Sequence, residues 1–240
     1  MPMTREKQER LSEDIHLLGD SLGHVIRRQA GIEIYDLEER IRALTKARRL
    51  EADPAVDRRL TQVVDQLDPA EAELVARSFT TYFELVNLAE EQHRVRVLRE
   101  RERDAHPQPL PESVAGAVAA LARAGVDEVE MRRLLARLSI ELVFTAHPTQ
   151  AKRRTVLAKL RRIAAALTDL DVRDLLPAER DILIERLRAE VALLWVTDRS
   201  RTTRPTVTDE VRTGLFYFDH TLWDVLPAVY EHMAAALAQH

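Results

Sequence analysis

Leu138-Ser-Ile-Glu-Leu-Val-Phe-Thr-Ala-His-Pro-Thr-Gln-Ala-Lys-Arg-Arg154 is the stretch on which the reading of this chain turns. Its apolar run, Leu138–Phe144, has the length and β-branched content of a buried strand. Small and hydroxylic residues follow, and then His147 against Pro148. Proline lacks an amide hydrogen and steers the residue before it away from the helical region, so the imidazole is expected in extended backbone at the end of the strand. Thr149 is the expected N-cap of a helix over residues 149–168, in which Val156, Leu157, Leu160, Ile163, Ala164 and Leu167 form one apolar stripe. The same spacing puts Arg153 on that buried stripe, while Arg154 points roughly 100° away. A buried guanidinium needs an anion, and a helix N-terminus adds donors of the same polarity. A lone histidine is more often structural than catalytic, and such an arginine more often meets a protein carboxylate than a ligand. Spacing alone therefore leaves a ligand site and a structural ion pair both open.

Composition narrows the rest. The chain has 240 residues, 45% apolar and 32% charged, with six Gly, five Phe and two Trp, which favours long solvated helices over many short strands. Net charge is −4 with both signs interspersed, so neither nucleic acid nor an anionic membrane surface is an expected partner. The absence of cysteine excludes disulfides and thiolate metal sites. The eight histidines form no ligand pair on one helical face, and no metal held entirely by these residues is expected. With no apolar leader and no run of eighteen apolar residues, a cytoplasmic protein is the expectation.

Taken in order, residues 5–29 carry Leu11, Ile15, Leu18, Leu22 and Ile26 at helical spacing, with Gly19 and Gly23 on a neighbouring face where another helix approaches closely. Gly31 ends that helix. Further helices are expected over Tyr35–Leu50 and Val56–Leu67, the second introduced by Asp53-Pro54, and Asp68-Pro69 repeats the device before a long helix from Ala70 to about Asp104. That helix is apolar first and charged later, so it should start in the core and emerge into solvent. Residues 105–113, rich in proline, mark a loop between an N-terminal helical region, 1–104, and a second region, 114–240. Short helices over Ala115–Ala124 and Asp127–Leu138 meet at Gly125. Strand 138–145 then stands alone, and one strand cannot make a sheet, so its partners are expected outside these residues. Pro227–His240 is a helical pattern without a stop signal, as in a chain cut from a longer one. The loop Trp195–Pro205 alternates arginines with hydroxyl residues and suits either an anion or solvent.

Val143-x-Thr-Ala-His-Pro-Thr-Gln-x-x-Arg-Arg154 resembles the histidine-containing signature of phosphoenolpyruvate carboxylases at every defined position. The likeness extends to Leu18-Gly-x-x-Leu-Gly-x-x-Ile26, Phe83-x-x-x-Asn-x-Ala-Glu-x-x-His93 and the segment from Gly214 to Pro227. Family members are several times longer, so the chain resembles their N-terminal quarter. The resemblance implies a mainly α fold, the N-terminal helical part of a β/α-barrel enzyme, with 138–145 as one barrel strand.

It also implies carboxylation of phosphoenolpyruvate by bicarbonate, giving oxaloacetate and phosphate, in a homotetramer with Mg²⁺ or Mn²⁺ as cofactor. His147 would be the catalytic histidine, and Arg153, Arg154 and Arg201 would bind substrate or an effector anion. The family's metal ligands, catalytic lysine and most phosphate-binding arginines belong to later barrel loops with no counterpart here, so this chain alone is expected to be inactive. The alternative is a non-catalytic helical module that binds anions or partners. The chain departs from the family where Thr-Asp-Glu-Ile-Arg becomes Thr197-Asp-Arg-Ser-Arg201, and where Pro205-Thr-Val-Thr-Asp-Glu210 loses a second proline.

Overall fold

A computed structural model describes residues 5–50, 53–141, 153–198 and 206–239. The described residues are overwhelmingly α-helical and fall into two units, one within Met1–Val95 and Arg153–Arg199, the other within Arg96–Lys152 and Ser200–His240.

The first unit comprises α1 (Arg5–Gln29), α2 (Ile32–Leu50), α3 (Pro54–Asp65), most of α4 (Pro69–Ala105), α7 (Arg154–Val172) and α8 (Pro177–Trp195). Asp53 caps α3 by accepting from the Ala55 amide at 2.8 Å. Asp68 caps α4 by accepting from the Ala70 and Glu71 amides, while the Glu71 carboxylate takes the Asp68 amide at 3.0 Å, a reciprocal capping box. Gly31 has φ +96, the left-handed conformation that lets α1 turn sharply into α2. The expected approach at the α1 glycines is real: a side chain on Gly23 would press on the Tyr35 ring of α2, and one on Gly19 would touch Tyr82 of α4.

The main core joins Leu18, Leu22, Val25 and Ile26 of α1 to Leu85, Leu88 and Ala89 of α4, Val156, Leu160, Ile163 and Leu167 of α7, and Leu183, Leu187, Val191, Leu194 and Trp195 of α8. A smaller cluster, Ile41, Val63 and Val75, unites α2, α3 and α4. Buried hydroxyls are satisfied within their own helices: Ser21 donates to the Leu17 carbonyl, Ser78 to Leu74 and Thr81 to Arg77. As its sequence indicates, α4 buries residues from Val75 to His93 and is largely exposed beyond.

One buried group had no sequence signal. Glu38 shares the inner stripe of α2 with Ile34 and Ile41. Burial, reinforced by neighbouring Glu39 and opposed by Arg42, pushes its carboxyl up to about 7 from the ordinary 4.5. The folded state then binds more protons than the unfolded state between those two values. Stability must therefore fall as pH rises through that window and level off above it. We expect the chain to lose up to about 3 kcal/mol between roughly pH 4.5 and 8, and Glu38→Gln to flatten the profile. Urea denaturation across that range measures it, and a wild-type profile no steeper than the variant's would remove Glu38 as the cause.

The second unit holds the end of α4, α5 (Val114–Arg123), α6 (Glu128–Arg137), α9 (Val207–Tyr217) and α10 (Trp223–Leu237), the last two joined by a π-helical stretch, Phe218–Leu222. Ser113 caps α5 through the Gly116 amide at 3.0 Å, and Asp127 caps α6 through the Glu130 amide at 2.8 Å. Gly125, φ +83, makes the turn between them. In the Pro205–Glu210 segment, Thr206 and Asp209 cap α9 reciprocally, the Thr206 hydroxyl donating to Asp209 at 2.7 Å. Helix α5 packs against α10.

The strand expected over 138–145 is not found where the chain is described. Leu138 is the extended C-cap of α6, residues 138–141 are irregular, and Leu138 and Ile140 are 54% and 76% exposed. Strand geometry needs a neighbour's amides and carbonyls, and among the described residues there is no strand to supply them. Residues 142–145 lie outside the described residues. Pro227 lies inside α10, which begins upstream at Trp223, so the helical pattern of 227–240 is the continuation of a helix and not its start.

Candidate functional site

His147 and Arg201 lie outside the described residues, as does the expected N-cap Thr149. Arg153 and Arg154 are described. The helix that follows the signature, α7, begins at Arg154, and its N-cap is Arg153 in extended conformation, φ −60 and ψ 141. This corrects the expectation that Arg153 rides within the helix on its buried stripe. From the cap position its side chain, about one-third exposed, reaches Asp198 just beyond α8, with Nη2 to Oδ2 at 3.6 Å. Arg154, one residue on, is exposed. The two arginines thus differ in the expected sense, the first turned inward and the second outward, for a reason the stripe did not supply.

The remainder of α7 follows its sequence. Val156, Leu160, Ile163 and Leu167 are buried in the main core, where α7 packs against α8, and Leu157 and Ala164 are partly covered. Polar links to neighbouring helices include Arg162 Nε donating to Glu190 of α8 at 2.6 Å and the Thr168 hydroxyl donating to Gln92 of α4 at 3.0 Å. The first turn of α7 has no acidic residue and no side-chain cap. The end of α7 that continues the signature therefore combines two guanidinium groups with the positive pole of a well-anchored helix, a polarity suited to carboxylate or phosphate. Asp198 tempers it, and sequence reading passed over that partner because it sat among arginines in a loop. An ion pair this accessible is worth about 1 kcal/mol or less, so an incoming anion can compete for Arg153 at small cost.

The phosphoenolpyruvate carboxylase family model matches residues 11–240. The chain belongs to the phosphoenolpyruvate carboxylase family. A phosphoenolpyruvate carboxylase of Roseiflexus castenholzii is 43% identical over 233 residues, covering 97% of this chain and 25% of that protein. The phosphoenolpyruvate carboxylase of Thermus sp. strain 71 is 41% identical over 230 residues, 95% of this chain and 25% of its own length. That of Pseudomonas aeruginosa is 42% identical over 233 residues, 97% and 26% respectively. The chain spans about a quarter of the length of these relatives.

Membership of the family brings a divalent metal into consideration. Among the described residues no three His, Asp or Glu side chains converge to hold an ion, so the described part of this chain does not fit a metal cage. Nor, among the described residues, is any helix long and apolar enough to cross a membrane.

Proposed function

We propose that this chain is the histidine-bearing N-terminal portion of a phosphoenolpyruvate carboxylase that acts in the cytoplasm as a homotetramer. The observation that carries the reading is identity above 40% with carboxylases across nearly the whole chain, beside the sequence signature that this chain carries from Thr145 to Arg154. In the reaction, a bicarbonate oxygen attacks the phosphoryl group of phosphoenolpyruvate, forming carboxyphosphate and the enolate of pyruvate. His147, as general base, takes the carboxyl proton of carboxyphosphate, which breaks down to CO₂ and phosphate beside the enolate. The enolate carbon then attacks CO₂ to give oxaloacetate. A neutral imidazole suits that step, since its ordinary pKa lies close to neutrality. Arg153, Arg154 and Arg201 hold the anion, either substrate or effector. The Mg²⁺ or Mn²⁺ ligands are supplied by the remaining three-quarters of a full-length enzyme, and no step is assigned to the metal from these residues.

The test is substitution of this chain for the matched quarter of the Roseiflexus castenholzii relative. The chimera is expected to form oxaloacetate from phosphoenolpyruvate and bicarbonate, whereas the 240 residues alone release phosphate only at background. A folded but inactive chimera would sink the reading in favour of a non-catalytic module, and turnover by the isolated chain would show that the rest is not needed.

A further inference from the structure

Two observations about the second unit belong together. Among the described residues, both apolar clusters are built from the first unit, and Val118 and Ala236 are the buried apolar residues of the second. Among the described residues that is little apolar burial for a unit of this size. At the same time, the helix from Val207 to Leu237 shows solvent a continuous apolar stripe: Val207, Val211, Leu215, Phe218, Trp223, Leu226 and Tyr230, each between 47% and 79% exposed.

The stripe stays on one side because of the π turn. Up to Phe218 it follows α-helical spacing, and the Trp223 amide then bonds to the Phe218 carbonyl, five residues back. Trp223 therefore follows Phe218 on the same face, and Leu226 and Tyr230 continue from there. In an unbroken α-helix the second half would be turned by roughly 100°, one residue's rotation, away from the first. A contiguous apolar surface of this length exceeds the scattered exposure normal on soluble proteins.

We propose that this stripe is a docking face for the polypeptide forming the other three-quarters of a phosphoenolpyruvate carboxylase, and that the second unit draws its core from that polypeptide. The proposal rests on the reading of the chain as the N-terminal portion of such an enzyme. The relatives extend over about four times the matched length, so the occupant has ample chain. Charge disfavours the other occupants. Residues 207–237 carry Asp209, Glu210, Asp219, Asp224 and Glu231 against Arg212 alone among arginines and lysines. An anionic lipid surface would repel such a helix, and a second copy would set acidic flank against acidic flank.

Carbene footprinting of the isolated chain and of the Roseiflexus chimera tests the assignment. Labelling of Trp223, Leu226 and Tyr230 is expected to fall about fivefold or more on going from chain to chimera. Leu226→Asp should lower the melting temperature of the chimera while leaving that of the isolated chain unchanged. Equal labelling in both molecules overturns the proposal. So does a dimer of the isolated chain whose stripe is protected and which Trp223→Asp converts to monomer. An active chimera with an exposed stripe sinks the docking face alone, whereas an inactive chimera with a protected stripe sinks the enzymatic reading alone.

Discussion

Replacing His147 by Asn in the Roseiflexus chimera is expected to lower oxaloacetate formation by about 10²- to 10⁴-fold, the usual contribution of a positioned general base. Asparagine keeps a polar side chain of similar reach beside Pro148 but cannot accept a proton near neutral pH. The fold should survive, because no residue of α7 or of the core it joins is altered, and an unchanged melting curve checks this. Oxaloacetate is followed by its reduction in a coupled assay. Turnover within a few-fold of the parent at all pH values would remove His147 from its assigned role.

The largest stability loss is expected at Gly116. A methyl group there would overlap the carbonyl oxygen of Leu110 and sit 3.0 Å from both the Leu110 carbonyl carbon and Pro111 Cα. All three are backbone atoms, so no side chain can rotate out of the way. The same Leu110 carbonyl accepts from the Ser113 hydroxyl at 2.7 Å and from the Ser113 amide at 3.0 Å, and Ser113 in turn caps α5. Displacing it breaks the cap along with the packing. Gly116→Ala should cost about 3 kcal/mol, the upper range for overpacking with loss of a cap. Gly214, inside α9, would meet nothing within 4 Å, and Gly214→Ala should be neutral or stabilising by up to about 1 kcal/mol. Thermal denaturation of the two variants in the Roseiflexus chimera gives the comparison, and equal melting temperatures would refute the steric account.

Much of the helical frame was legible because its punctuation is chemical. Asp53-Pro54, Asp68-Pro69 and Asp127 announce helix starts that the structure caps as written, and Gly31 and Gly125 adopt the positive φ that ends their helices. Helix α8 had no such clarity. Its buried stripe from Leu183 to Trp195 is blurred by Ile182 and Leu193, which face solvent with the same composition as the core residues. Glu38 looks in sequence like part of a solvated run, since Glu39 and Arg40 follow it, and only packing reveals which of the acids faces inward. At the candidate site, helical phase predicted a contrast between Arg153 and Arg154 for the wrong reason, since Arg153 is the extended N-cap and not a residue of the stripe, and the identity of Asp198 as the counter-ion had no sequence signal. That pairing joins the ends of two helices more than forty residues apart, a tertiary fact with no local signature.

The π turn at Phe218–Leu222 also says where this helix can change length. A turn closed by bonding to the fifth residue holds one residue more than an α turn. A relative lacking one residue between Phe218 and Trp223 would carry the same apolar face on an uninterrupted α-helix, with both halves still aligned. A deletion elsewhere in the helix would rotate its two ends apart by about 100°. The segment thus carries a spare residue at a single address, where a one-residue deletion keeps the apolar face aligned and a deletion on either side does not.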